Sequence, residues 1–323
     1  MSSTRAVPPA LPEPDSVCTP GPWQHRAVST NGIHLHVADV LPDNWEERHQ
    51  PGELPHLVLF IHGYAENWWI WRHLLKPVAT AGFHAMSVDL RGYGNSDKPP
   101  EGYDLPTAAE DIYGLIRATG HHTATIVAQG LGGAVAWTLA NKHPEHVTEL
   151  VLVSSPHPRV YHDDPIRRSL SGRTFPGQFI SAQLPRLSEW RMKGDNWVKD
   201  YLSSRTRKGW LETREGAETL DMISMSLRIP KVAYCANEYL RWISRAYFRP
   251  DGWDYYKKMD KELPLRATII VGAQDDTVSG AALEGSEKYV EQLNLIQILN
   301  AGYFPQLEQA DEFEKILLDT LIH

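Results

Sequence analysis

Six short apolar runs recur along the chain, each running into a turn: LVLFIHG (57–63), AMSVDLRG (85–92), ATIVAQG (124–130), ELVLVSS (149–155), ATIIVGAQDD (267–276) and LIQILN (295–300). Runs this short and this continuously apolar suit strands buried on both faces, which means a parallel sheet covered by helices. Between them, Thr107–Thr119, the Ala-rich Leu131–Lys142 and the amphipathic Asp311–Ile322 carry helical spacing. Alternating strand and helix predicts a doubly wound α/β layer. In front of this layer, WQHRAVST and IHLHVADV read as two strands joined at Asn31-Gly32, a type I′ hairpin signal.

Two stretches break the alternation. Residues 1–22 contain Pro8, Pro9, Pro12, Pro14, Pro20 and Pro22 without apolar periodicity, so a disordered tail is expected, with order starting near Trp23. Residues 157–263 show no buried-strand run but carry Trp190, Trp197, Trp210, Trp242 and Trp253 at helix-like spacing, which predicts an inserted helical cap. The core is then 23–156 and 264–323. The cap holds 20 Lys and Arg against 14 Asp and Glu, whereas the remainder holds 12 against 26. A net charge of −8 without a basic cluster argues against nucleic-acid binding, but a basic cap suits an acidic protein partner or an anionic membrane surface. Cys18 and Cys235 are the only cysteines, too few for a disulfide framework and in no CxxC or His-rich pattern. No apolar run reaches the roughly 20 residues of a membrane helix, and the first residues lack the apolar centre of a secretion signal. A cytoplasmic protein is expected, with peripheral membrane contact as a variant. No metal, phosphate-loop or dinucleotide signature stands out, so no cofactor is expected.

The segments FIHGYAENWWIWRHL, VDLRGYGNSDKPPEGYD and IVAQGLGGAVAW, in that order and followed by a cap, an acid loop and a C-terminal Gly-aromatic loop, resemble the α/β-hydrolase superfamily. The likeness covers the chain from about Trp23 onward. It is nearest to the epoxide hydrolase and haloalkane dehalogenase-like branch, and within it to epoxide hydrolase-like proteins of actinobacteria. The resemblance implies an α/β-hydrolase fold with a mostly parallel central sheet flanked by helices and an inserted helical cap. It also implies a nucleophile on a strained strand-to-helix turn, in the pattern G-x-nucleophile-x-G-G.

In this chain the turn reads Ala128-Gln129-Gly130-Leu131-Gly132-Gly133, and the glycine pair puts Gly130 at the nucleophile position. Glycine has no attacking atom. A register shifted by one would place Gln129 there, but an amide is a poor nucleophile. The implied acid is Asp275 in VGAQDDTV, with Asp276 as its neighbour. The implied catalytic-His position is Tyr303 in AGYFPQLE. A phenol with pKa near ~10 is a poor general base at neutral pH, although it can donate a hydrogen bond to Asp275. The backbone amides of Tyr64 and Leu131 would form the oxyanion hole, which no side-chain change removes. Leu131 stands where haloalkane dehalogenases carry a halide-binding Trp, and Ala65 replaces a proline frequent in epoxide hydrolases. His62, His157, Tyr234 and Tyr239 are further pocket candidates, and Ser154 or Ser155 with His157 and Asp275 is a possible relocated dyad. The expectation is a catalytically inactive hydrolase fold that binds a small apolar ligand or a protein partner. The alternative is a weak epoxide or ester hydrolase.

Overall fold

The computed structural model describes residues 11–48, 50, 52–163, 175–278 and 280–322. The apolar runs form β3 (Leu57–Ile61), β4 (His84–Val88), β5 (Ala124–Gln129), β6 (Val147–Val153), β7 (Leu263–Gly272) and β8 (Val290–Ile298), after β1 (Gln24–Thr30) and β2 (Ile33–Val40). All eight belong to one sheet in the order β1-β2-β4-β3-β5-β6-β7-β8. The pairs β1–β2 and β2–β4 are antiparallel and the others parallel. Every residue of β3, β4 and β5 is buried, as helix-covered faces require. The edge strand β8 leaves half its residues at the surface, which is why only its apolar end is visible in the sequence. Asn31 and Gly32 both adopt positive φ, 42° and 77°, as the hairpin signal predicts.

The chain steps from β3 to β4 on one side and then to β5 on the other. This reversal opens a crevice at the carboxyl ends of β3 and β5, where ligands bind in such sheets. The loop after β3 and the turn after β5 meet there.

Order begins earlier than expected. Pro14–Val17 forms a 3-10 turn, and the buried Val17 accepts a hydrogen bond at its carbonyl from Trp68 Nε1 at 3.0 Å. Proline suits the first turn because its missing N–H has no partner there in any case. The tail boundary near Trp23 therefore moves back, and residues 1–10 lie outside the described residues.

The cap enters between β6 and β7 as helices, among them Asp195–Ser203, Arg214–Arg228, Val232–Arg245 and Pro250–Lys258. Its own core includes Trp210 and Tyr239, while Trp190 and Trp253 face solvent. Leu263, expected as the last cap residue, opens β7. Among the described residues no helix is long and apolar enough to cross a membrane.

Candidate active site

β5 ends at Gln129 and a helix runs from Gly130 to Lys142, so the turn is as short as the motif demands. Gly130 has φ +50°, a left-handed conformation that glycine tolerates best. A Cβ on Gly132 would lie 2.5 Å from the His62 carbonyl oxygen and 2.6 Å from that of Ile61. Only glycine lets the helix approach the β3 loop so closely. Gln129 faces away from the crevice. Its Nε2 donates to the Tyr303 carbonyl at 2.6 Å, and its Oε1 accepts from Gln306 Nε2 at 2.5 Å. The shifted register thus has no reactive group to offer, and Gly130 holds the nucleophile position.

Tyr303 occupies the space above it. Its hydroxyl oxygen lies 2.0 Å from the point where a Cβ would stand on Gly130. The backbone holds it there: the Tyr303 N–H donates to the Arg205 carbonyl at 2.7 Å, and its own carbonyl accepts from Gln129. Tyr303 does not hydrogen-bond Asp275, contrary to expectation. A phenol is longer than an imidazole, and with no side chain at position 130 its hydroxyl reaches the elbow. Burial raises the phenol well above its ordinary pKa, reinforced by Glu66, Tyr201 and Asp275.

Asp275 lies at the end of β7. Its Oδ1 accepts from Thr277 N at 2.8 Å and from Thr277 Oγ1 at 2.6 Å, while its buried Oδ2 has no hydrogen-bond partner. Burial raises its pKa, against the effect of the nearby Ser154 hydroxyl and of Thr277. Ser154 closes β6 with φ +49°, uncommon for a residue with a side chain, and its buried hydroxyl also lacks a hydrogen-bond partner. No base completes a dyad here. His157 Nδ1 accepts from Arg159 N at 3.2 Å, its ring stacks on Tyr289 at 3.9 Å, and burial lowers its pKa to about 3.

The loop after β3 is pinned from within. His62 shares hydrogen bonds with the Gly63 carbonyl and Leu90 N, so it holds the loop rather than facing the crevice. Glu66 Oε2 accepts from Gly63 N at 2.6 Å, and Oε1 lies 3.3 Å from the Tyr201 hydroxyl oxygen, which can accept from the protonated carboxyl. Full burial lifts Glu66 to about 8, so it is mostly protonated at neutral pH. The Tyr201 hydroxyl also donates to the Tyr64 carbonyl at 2.8 Å, fixing the peptide next to the expected oxyanion-hole amide.

A cavity of about 120 Å³ opens over this site. Tyr64, Gly130, Leu131, Ser154, Thr277 and Tyr303 form its floor, and cap residues including Phe179, Leu240, Ile243 and Tyr256 its roof. The two residues expected to supply oxyanion-hole amides, Tyr64 and Leu131, are thus brought together with positions 130 and 303. The four further pocket candidates are not. His62 and His157 pack behind the walls, Tyr239 donates to the Arg91 carbonyl at 3.2 Å inside the cap-core seam, and Tyr234 lies on the outer cap surface. Tyr201 and Arg205 line the cavity instead. Arg205 is buried, stacks on the Tyr201 ring at 4.1 Å, donates from Nη1 to the Tyr201 carbonyl at 3.0 Å and to Ser204 Oγ at 2.9 Å, and forms no ion pair among the described residues. Both come from the helix Asp195–Ser203 and the turn after it, where helical periodicity marks core positions but does not tell which of them border a cavity.

A sequence profile described as alpha/beta hydrolase fold matches residues 56–310. Epoxide hydrolase 3 of Xenopus tropicalis is 26% identical over 276 residues, covering 82% of this chain and 71% of its own. Epoxide hydrolase 2 of Siraitia grosvenorii is 24% identical over 328 residues, covering 92% and 98%. The solved structure of the epoxide hydrolase CorEH superposes with a TM-score of 0.77 at 18% identity, over 92% of this chain and 98% of that one. The chain therefore belongs to the α/β-hydrolase fold family, on its epoxide hydrolase-like branch.

Proposed function

We propose that this protein is a ligand-binding member of its family that does not perform covalent hydrolysis. The observation that carries this reading is the Tyr303 hydroxyl standing where the side chain of a nucleophile would begin on Gly130. Without an attacking atom no ester or alkyl-enzyme intermediate forms, and a protonated phenol cannot activate water as an imidazole does. What remains is an apolar cavity with the Arg205 guanidinium at its wall, which donates to the Tyr201 carbonyl and Ser204 Oγ but forms no ion pair among the described residues, and this suits a small apolar molecule carrying one acidic group. The test is calorimetric titration of medium-chain fatty acids beside the matching alcohols. Acids binding at least tenfold tighter than alcohols, with the preference lost in Arg205→Gln, is the expected result. Equal affinity for both would remove the role given to Arg205.

One observation favours the alternative of a weak hydrolase: the buried Asp275 carboxyl lies beside the Ser154 hydroxyl, and Ser154 borders the cavity with Tyr64 and Leu131. On that reading the carboxylate would orient a water against a bound ester. Turnover abolished by Asp275→Asn would support it.

The cap offers a separate, weaker handle on a partner. Ile180, Leu184, Leu187 and Trp190 are exposed together along two successive cap helices, beside Arg186 and Arg191. We infer an acidic protein partner for this basic, aromatic face. Salt-sensitive capture that is lost on Trp190→Ala and Arg191→Glu is the expected outcome, and binding to anionic vesicles alone would assign the face to a membrane.

A further inference from the structure

At the opposite edge of the sheet from β8, three side chains converge that the cavity does not use. Cys18 follows the turn Pro14–Val17, His25 lies on β1 and His36 on β2. In the hairpin His25 pairs with Ala38 and Ala27 with His36, so the two imidazoles are diagonal neighbours on one face. Their rings stack 5.1 Å apart. His25 Nδ1 and His36 Nε2 stand 2.9 Å apart, Cys18 Sγ is 3.4 Å from His36 Nε2, and all three atoms lie within 4.8 Å of one another.

The outer contacts of the imidazoles decide what this arrangement is for. His36 Nδ1 meets Asp89 Oδ2 at 2.7 Å, and His25 Nε2 meets the Thr19 carbonyl at 2.8 Å. A carbonyl only accepts, and so does an ionised carboxylate, so each outer nitrogen carries the proton. The two inner nitrogens then face each other at 2.9 Å, a separation that one proton between them accounts for and that leaves both as ligands when a metal ion replaces that proton. An imidazole backed by a carboxylate or a carbonyl is the usual form of a metal-ligating histidine. Zinc bonds of roughly 2.0 Å to nitrogen and 2.3 Å to sulfur hold tetrahedral ligands about 3.3 to 3.5 Å apart, so Cys18 Sγ and His36 Nε2 already stand at a ligand spacing and the two imidazoles need to part by a few tenths of an ångström.

We propose that Cys18, His25 and His36 bind a borderline-soft divalent cation, zinc foremost, which ties the segment after Pro14 to the first hairpin. Zinc displaces the thiol proton and makes the fourth bond to water on the open side, where the exposed Asn95 sits with its Nδ2 3.3 Å from Cys18 Sγ. The amide can donate to the thiolate there. The three ligands are spaced seven and eleven residues apart and come together only through the hairpin register, so no compact sequence motif announces them.

The experiment uses the full chain stripped with a chelator and titrated with Zn²⁺ and Co²⁺. One ion per chain, a thiolate-to-cobalt charge-transfer band and a Zn²⁺-dependent rise in Tm are expected. Cys18→Ser should remove the band and weaken zinc at least tenfold, and His25→Gln should weaken zinc similarly. Both variants should melt like the parent in chelator. Absence of stoichiometric binding, or binding that survives Cys18→Ser unchanged through other histidines, would overturn the proposal.

Discussion

The loop after β3 and the pair at positions 130 and 303 face each other across one cavity, and they carry two different kinds of information. The loop holds its shape through backbone groups: His62 ties Gly63 to Leu90, Glu66 caps Gly63, and Tyr201 caps Tyr64. Losing these contacts would damage the fold, so the shape of the loop persists whether or not chemistry occurs. The other side depends on side chains alone. There, one residue reduced to glycine and one aromatic ring extended into the space fit each other. Structural need preserves backbone machinery, whereas side-chain machinery can be exchanged for packing. An intact loop is therefore weak support for catalysis, and the proposed absence of chemistry rests on the complementarity of 130 and 303.

Breaking the packed pair should have the largest effect. Gly130→Asp adds a Cβ at φ +50° against the Tyr303 hydroxyl, combining backbone strain with overpacking, and should cost about 3 kcal/mol or more in denaturant unfolding. A nearly neutral result would mean that Tyr303 swings aside freely. On the backbone side, Gly132→Ala meets two carbonyl oxygens that cannot rotate away and should cost about 2–3 kcal/mol. Adding Tyr303→His to Gly130→Asp removes the clash. The double variant should be about 1–2 kcal/mol more stable than the sum of the singles predicts, and strict additivity would uncouple the two positions. The smallest effect sharpens the loop side. Glu66, at about 8 when folded, stays protonated where the unfolded chain ionises, so its contribution is greatest below about pH 4.5 and declines as pH rises toward 8. Glu66→Gln should therefore change stability by less than about 1 kcal/mol at pH 5 and flatten the loss of Tm between pH 5 and 8.

Much of this was legible in the sequence, for physical reasons that can be named. Strands β3 to β7 announce themselves because burial on both faces forces unbroken apolar runs. Gly130 is readable because Gly132 must pack against the end of β3 and Gly133 against Ser155 at the end of β6. Tyr303 is readable as a position but not as a contact: which way the phenol points depends on the vacancy at residue 130, 173 positions earlier. Arg205 and Tyr201 were missed because a cap helix buries one stripe against the core, and nothing in its periodicity marks which buried residues border an empty space. The segment before Trp23 has the sequence of a tail because its prolines hide a single turn that buries only Val17.

On the proposed function the site binds without turning over, because Tyr303 and Gly130 leave no attacking group. Its most direct measurement is single-turnover incubation of the protein, in excess, with a chromogenic epoxide and with a p-nitrophenyl ester, followed by product analysis and intact-mass spectrometry. The account predicts product no faster than in the protein-free control and no covalent adduct, for the parent chain and for Asp275→Asn alike. A covalent adduct, or turnover that vanishes in Asp275→Asn, would contradict it.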